Sequence, residues 1–423
     1  MAKLELTSTM KLVGIDWAAE EHAVCVVDSG GAEVAAFMIA HTKDGFAKLV
    51  TRLVSLGVPG EMPVAIERPD GRLVDRLLEA GHRVVPVSGR AIKAWRESEV
   101  ASGAKSDPGD AEVIAEYLRL RLRHLRVLEP FSDQTRALRA VVRARDDLVH
   151  ARVAAHNQLE ACLDAFWPGA KAIFADVTSE IALAFLERYP TPSSANALGE
   201  KRMAAFCIKH GYSGRRSAAE LLTRLGAAPD GIGAGPEAEA RRDAVLGYVG
   251  VIRALNTSIK ALARSVAAHL GEHQDSKIFT SLPRSGQVNA AQMLAEWGDC
   301  RQAYDGPDAV AAMAGLTPVT KASGKHKAVH FRWACNTRFR VAVTTFADNS
   351  RHDSPWAADI YKRATGRGCD HPHAVRILAR AWVRVIYRCW LDRVPYDANN
   401  HTAAVRLAEQ QSAADHSTRS EAA

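Results

Sequence analysis

Between residues 11 and 130 the chain alternates between strand-length apolar runs and helical spacing. Residues 11–16 (KLVGID) have the continuous apolar character of a short buried strand. Residues 22–28 and 33–40 flank Ser29-Gly30-Gly31 as the arms of a hairpin. Residues 43–56 are spaced as a helix, 63–68 (PVAIER) as a strand, 72–80 as a helix and 83–87 (RVVPV) as a last strand. Helical segments follow from Ala91 and from Pro108. Three strands, a helix, a strand, a helix, a strand and then helices is the element order of an RNase H-like (RuvC-like) α/β fold.

Beyond that region the pattern turns helical. Residues 132–167 predict one long Arg- and Ala-rich helix that stops at Trp167-Pro168-Gly169. Residues 171–225 read as short helices broken at Tyr189-Pro190-Thr191-Pro192 and at Gly211–Gly214, and AAPDGIGAG (227–235) as a linker. A second long helix over about 238–270 could pair with the first as an antiparallel stalk, a possible coiled coil. From 278 to 391 the pattern is helical with tight turns, and the tail from Asp397 reads as disordered. The expected division is an α/β domain over 1–130, a helical stalk over 131–277 with an insert at 170–237, a mainly α, basic domain over 278–396, and a tail over 397–423.

Composition adds exclusions. At 423 residues, 47% hydrophobic and 24% charged, the chain reads as an ordinary globular protein of more than one domain. No apolar run reaches the roughly 18–20 residues of a membrane helix. Residues 1–10 lack the apolar core of a signal peptide, so a cytoplasmic protein without membrane contact is expected. Cysteines at 25, 162, 207, 300, 335, 369 and 389 are odd in number and include no C-x-x-C, which argues against a disulfide frame or zinc site. Residues 331–395 hold 12 Lys and Arg against 5 Asp and Glu, a surplus equal to the whole chain's net charge of +7. Such a concentrated basic region is either a solvated face or the footprint of a polyanion.

Candidate chemistry begins with carboxylates. Asp16 ends the first strand and Glu67 lies near the end of the fourth, and these strands are neighbours in the expected fold. Asp107 and Asp110 follow in Lys105-Ser106-Asp107-Pro108-Gly109-Asp110-Ala111. Read alone, the latter pair makes an ordinary helix start: an N-cap, a proline at N1 and an acid facing the dipole. Asp16, inside an apolar strand, lacks so simple an account, because a lone buried carboxylate is costly. Four acids around one cavity can hold two Mg²⁺ ions about 3.5–4 Å apart, one at the nucleophile and one at the leaving oxygen.

VGIDWAAEEHAVCVVD, the Glu67 strand and KSDPGDAEVIAEYL together resemble the DEDD transposases of the insertion-sequence 110 family. The resemblance implies a RuvC-like site made by Asp16, Glu67, Asp107 and Asp110. Where the family follows its glutamate with Ala-Thr-Gly, this chain has Arg68-Pro69-Asp70-Gly71. LPRSGQVNAAQMLAEWGD (282–299), AGLTP (314–318) and ASGK (322–325) resemble, in that order, the family's second region, a helix-hairpin-helix-like turn before a Ser-Gly motif. The usual Pro-Gly-Ile-Gly turn is Pro283-Arg284-Ser285-Gly286 here. The family's serine nucleophile, which joins covalently to DNA, maps onto Ser323. A serine hydroxyl is a weak nucleophile unless a base, a metal or dense positive charge assists it, and Lys321, Lys325, Lys327, Arg332, Arg338 and Arg340 crowd this segment. Without the resemblance, Ser323-Gly324 reads as a plain loop turn.

Arg376, Arg380, Arg384 and Arg388 recur every four residues, laying guanidinium groups along one helix face, either to follow phosphates or simply to meet solvent. Cys369-Asp370-His371-Pro372-His373 reads as a loop, not a metal site. The resemblance further implies donor and target DNA as partners, a bridge-type non-coding RNA that selects them, and a homo-oligomer (dimer or tetramer) combining acids and serine from different subunits. A related site-specific DNA invertase, or a domesticated nucleic-acid binder that no longer cuts, are the alternatives. An actin-like sugar kinase shares the core, but Trp17-Ala18-Ala19 offers no phosphate-cradling glycines after Asp16.

Overall fold

Leu12 to Ile15 can all be buried only in a strand covered on both faces. The computed structural model, which describes residues 4–99, 107–323, 326–401 and 406, shows that strand as β1 (Lys11–Asp16). On one side β2 (Glu21–Asp28) and β3 (Glu33–Ala40) continue the sheet antiparallel. On the other, β4 (Val64–Ile66) and β5 (Val84–Pro86) continue it parallel, giving the order β3-β2-β1-β4-β5. The helices of this unit are α1 (Lys43–Leu56), α2 (Arg72–Glu79), α3 (Gly89–Glu99) and α4 (Asp107–Arg121). This mixed α/β sheet is consistent with the RNase H-like arrangement.

Strand alternation assigns the faces. Val13 and Ile15 of β1, with Val64 and Ile66 of β4, pack on Phe46, Leu49 and Leu53 of α1 and Leu73, Val74 and Leu77 of α2. Leu12 and Ala65 face the other way, onto Ala111, Ile114, Ala115 and Leu118 of α4. Between them Gly14 lets the helix backbone descend onto the strand. A Cβ at that position would stand 2.2 Å from the Ala111 carbonyl oxygen and 2.4 Å from the Ala115 nitrogen.

The chain divides into two compact units, Met1–Pro130 with Cys300–Asp305, and Phe131–Asp299 with Gly306–Ala423. In the second, α5 (Asp133–Phe166) and α11 (Pro236–Glu272) run antiparallel. Thr135 Oγ1 meets His273 Nε2 at 2.8 Å beside one end, and Arg152 donates to Asn256 Oδ1 at 3.3 Å farther along. Between these two in sequence come five short helices, α6 to α10 (Pro168–Ile173, Glu180–Arg188, Pro192–Ala195, Glu200–Lys209 and Ala218–Gly226). They close over an apolar cluster with Leu159, Leu163 and Phe166 of α5 and Val245, Val249 and Ile252 of α11.

After α12 (Ser276–Thr280) and α13 (Gln287–Trp297) come α14 (Pro307–Met313), α15 (Thr337–Ser350), α16 (Pro355–Gly366) and α17 (His371–Asp392). Two expectations are corrected here. A hairpin of β6 (Val319–Ser323) and β7 (His326–His330) interrupts the helices; its short strands alternate too little apolar residue to announce themselves. Asp370 caps α17 by accepting from the His373 amide, so 370–373 starts a helix instead of forming a loop. The start of the expected tail holds a 3₁₀ turn (Ala398–Asn400), with His401 edge-on to Trp356 at 4.5 Å, and the rest of it, Arg406 aside, lies outside the described residues.

Glu296, 2% exposed, ties this unit together. It accepts from Arg143 Nε at 2.8 Å, Arg139 Nη2 at 3.0 Å and Asn336 Nδ2 at 2.7 Å, while Asn336 Oδ1 caps α15 through the Phe339 amide. Burial alone would raise the carboxyl's pKa, but Arg143, Arg139 and Asn336 outweigh it and hold the value at about 2. A pKa depressed on folding gives stability that is present above the unfolded value, near 4.5, and is lost as pH falls toward about 2. Denaturant midpoints across that window should fall more steeply for the wild type than for Glu296→Gln, which keeps other depressed carboxyls such as Asp299. That variant should also lose about 3–5 kcal/mol at neutral pH, because two guanidinium groups are left without their counter-charge. In the first unit, Gly14→Val should lower the urea midpoint by the equivalent of about 3 kcal/mol or more, a severe overpacking against helix backbone. An unchanged midpoint would mean that α4 does not rest on β1.

Candidate active site

Asp16 is the last residue of β1, and Glu67 is the residue after β4. The strands are parallel with Ile15 opposite Ile66, so the two acids stand abreast, one step farther along. Asp16 continues the Leu12, Gly14 series and Glu67 continues from Ala65, which puts both on the face that α4 covers. Asp110 precedes Ala111, the residue that touches Gly14, and is itself 6% exposed. Asp107, exposed, begins α4. Three of the expected acids thus belong to one edge and one face, with the fourth a helical turn away.

Glycine supports this edge twice. The Glu67 carboxylate lies over Gly89, the first residue of α3, where a Cβ would come within 2.8 Å of Oε2. A helix start also favours an anion. Sequence reading had missed two basic neighbours. Arg96 of α3 places Nη2 2.7 Å from Asp110 Oδ1, compensating a carboxylate that burial would otherwise penalise. Arg68, at the position where the chain departs from the family's Ala-Thr-Gly, stacks 4.5 Å over the Trp17 ring and pairs with Asp70 at 2.9 Å.

The loop behind Asp16 is held by histidines on the opposite face. The Ala18 amide donates to His22 Nδ1 at 3.2 Å, which leaves Nε2 to carry the proton and donate to His41 Nδ1 at 2.8 Å. Burial first, and the neighbouring His41 second, lower the His22 pKa to about 4, so the ring is neutral at physiological pH. His22 positions the turn and brings no charge to the acids.

The all-oxygen donor set is the kind a hard divalent ion takes, and its placement at a sheet edge fits one. In the arrangement seen, Arg96 is the partner of Asp110, and among the described residues no three His, Cys, Asp or Glu side chains are grouped closely enough to hold a metal.

In the second unit Ser323 ends β6 at the closed end of the hairpin, in register with His326. Its side chain and those of Lys321 and Lys327 lie outside the described residues, as does all of Lys325. The arginines separate by what they touch. Arg338 is taken up by Asp146 at 3.1 Å and Asp147 at 2.5 Å on α5, and Arg340 by Cys335 Sγ at 2.6 Å and the Phe331 ring at 4.4 Å. Arg332 donates to the Thr317 carbonyl at 3.1 Å, and Arg388 pairs with Asp392 on its own helix. Arg376, Arg380 and Arg384 line a cleft of about 540 Å³ between α17 and the base of the hairpin.

No helix among the described residues is long and apolar enough to cross a membrane. Residues 13–168 match a family model described as "Transposase", and residues 276–362 match one described as "Transposase IS116/IS110/IS902 family". The chain is 30% identical to a Streptomyces coelicolor protein named as the mini-circle transposase for IS117, over 91% of this chain and 94% of that one. It is 27% identical to the uncharacterized 42 kDa protein of insertion element IS900 of Mycobacterium paratuberculosis, over 92% and 98%. It is also 27% identical to the 43.6 kDa protein of insertion element IS110 of Streptomyces coelicolor, over 86% and 87%. With both of its folded units matched and a relative aligned over nearly its whole length, the protein belongs to the IS110 family of insertion-sequence transposases.

Proposed function

We propose that this transposase cuts and rejoins DNA with Asp16, Glu67, Asp107 and Asp110 as a metal-binding set and Ser323 as the nucleophile. The observation that carries the reading is the matched register of Asp16 and Glu67 on the strand face over which α4 brings Asp110. Together the four acids would hold divalent ions, in our reading two Mg²⁺, which supply polarisation of the phosphate. The serine oxygen attacks the phosphorus of a phosphodiester and loses its proton to solvent. A deoxyribose oxygen leaves and is protonated to a hydroxyl. Attack by a DNA hydroxyl on the phosphoserine then restores the serine and joins the strands without ATP. A guide RNA from the element, a homo-oligomeric assembly and a bacterial nucleoid location complete the reading, supported by the family alone.

Asp16→Ala or Glu67→Ala should abolish strand cleavage in Mg²⁺ while leaving the circular-dichroism spectrum and DNA retention unchanged. Both acids sit at strand ends outside the apolar core, so full cleavage by either variant would remove the metal-site assignment. Ser323 has its own readout. Wild type incubated with a nicked or suicide DNA substrate should give a denaturing-gel band shifted by the protein's mass, and Ser323→Ala should give neither that band nor joined product. Cleavage without an adduct in the wild type, matched by Ser323→Ala, would mean that the acids act with water or a DNA hydroxyl instead.

A further inference from the structure

Trp333 is the most exposed tryptophan among those described, at 80%, and it sits in the coil between the hairpin and α15. Its ring stands edge-to-face on Phe331, centroids 4.9 Å apart at 78°. Phe331 is a wall of the arginine cleft and is itself contacted by guanidinium groups, Arg340 at 4.4 Å and Arg376 at 5.1 Å. The indole therefore rests on Phe331, on the cleft wall that Arg376 also touches, and leaves most of its surface open to solvent.

We infer that this cleft binds an unpaired stretch of DNA, with the arginines on its phosphates and a base stacked on Trp333. Arginines spaced along a helix with an adjacent open aromatic face is the combination that holds single strands, because every unpaired base offers a π-face. A duplex offers none, as its bases are covered by their neighbours. Among the described residues, Asp308 is the carboxylate paired with this basic wall. Asp308 stands 3.1 Å from Arg380 and 3.5 Å from Arg384, and exposed pairs of this kind yield readily to phosphate. The choice of DNA over other polyanions rests on the reading proposed above. The cleft includes Thr317, Pro318, Val329 and His330 at the open end of the hairpin, and Ser323 closes its other end, four residues or roughly 13 Å of strand away. A strand lying in the cleft is thereby led toward the serine.

The test uses the full-length protein and fluorescent 20-nucleotide probes of one sequence as single-stranded DNA, duplex DNA and RNA. Trp333→Leu should weaken single-stranded DNA binding about tenfold, the order expected for one lost stack. Duplex affinity and the salt slope should not change, and Trp333→Phe should restore most of the loss. Unaltered single-strand binding by Trp333→Leu overturns the inference, as does an equal loss on duplex. So does RNA binding more tightly than DNA and bearing the loss, or a changed sedimentation profile, which would make the indole a contact between copies. Arg376→Ala with Arg384→Ala separates this from failure of the wider reading. If the two lower the single-strand salt slope by about 0.7 each while Trp333→Leu is silent, only the stacking inference fails. If both are silent, the cleft does not bind DNA at all, whatever the serine adduct experiment gives.

Discussion

How closely α4 can lie on β1 governs the whole acid edge. A side chain at position 14 would meet the backbone of Ala111 and Ala115, so glycine is required for the helix to touch the strand. That contact fixes Asp110 one residue upstream of the touching point. Strand alternation then turns Asp16 to the same face, and parallel pairing sets Glu67 beside it. Gly89 repeats the device on a smaller scale by leaving room for the Glu67 carboxylate. The site is thus positioned by two absent side chains as much as by the acids present.

In the second unit the corresponding constraint is electrostatic. A carboxylate at 2% exposure is tolerable only because two guanidinium groups and an amide complete its coordination. Those partners come from α5 and from the cap of α15, so a single buried charge aligns three helices. Asn336 links the two roles, since one end of its amide reaches Glu296 and the other starts α15. The apolar packing of Trp297 on Phe279, Phe339 and Trp390 builds outward from the same place.

Much of this was legible beforehand where one physical signal dominated. Continuous apolar runs in residues 12–15 and 64–66 demanded strands buried on both faces, and the order of elements then paired them. The long helices at 133–166 and 236–272 announced themselves by their freedom from proline within the helix body. What escaped depends on residues far apart in sequence. Nothing in the local pattern says that Arg96 will compensate Asp110, or that Arg338 will be spent on Asp146 and Asp147. The β6–β7 hairpin was hidden for a different reason: its strands carry lysines and histidines with little apolar alternation, so its pairing shows in backbone hydrogen bonds and not in hydropathy. The Asp370 cap is visible in composition, but the proline between the histidines suggests a break where it in fact occupies the first turn of a helix.

Charge illustrates the same limit and shows how to get past it. A surplus of basic residues in one region marks a polyanion surface only after the internally committed ones are set aside. Arg338 and Arg340 crosslink their own unit, Arg332 holds the approach to the hairpin and Arg388 is answered by Asp392 on the same helix. These four look identical to the others in the sequence. Three residues of the α17 series remain facing a cleft, with Asp308 as the carboxylate that pairs with two of them. Spacing of four along a helix advances each arginine by about 40° around the axis, since four residues exceed the 3.6-residue turn. By the fourth member the series has left the face on which it began, which is why Arg388 pairs along its own helix while Arg376 stacks on Phe331. A basic helix therefore presents a short phosphate-binding window, and the residues within it are identified by what they line.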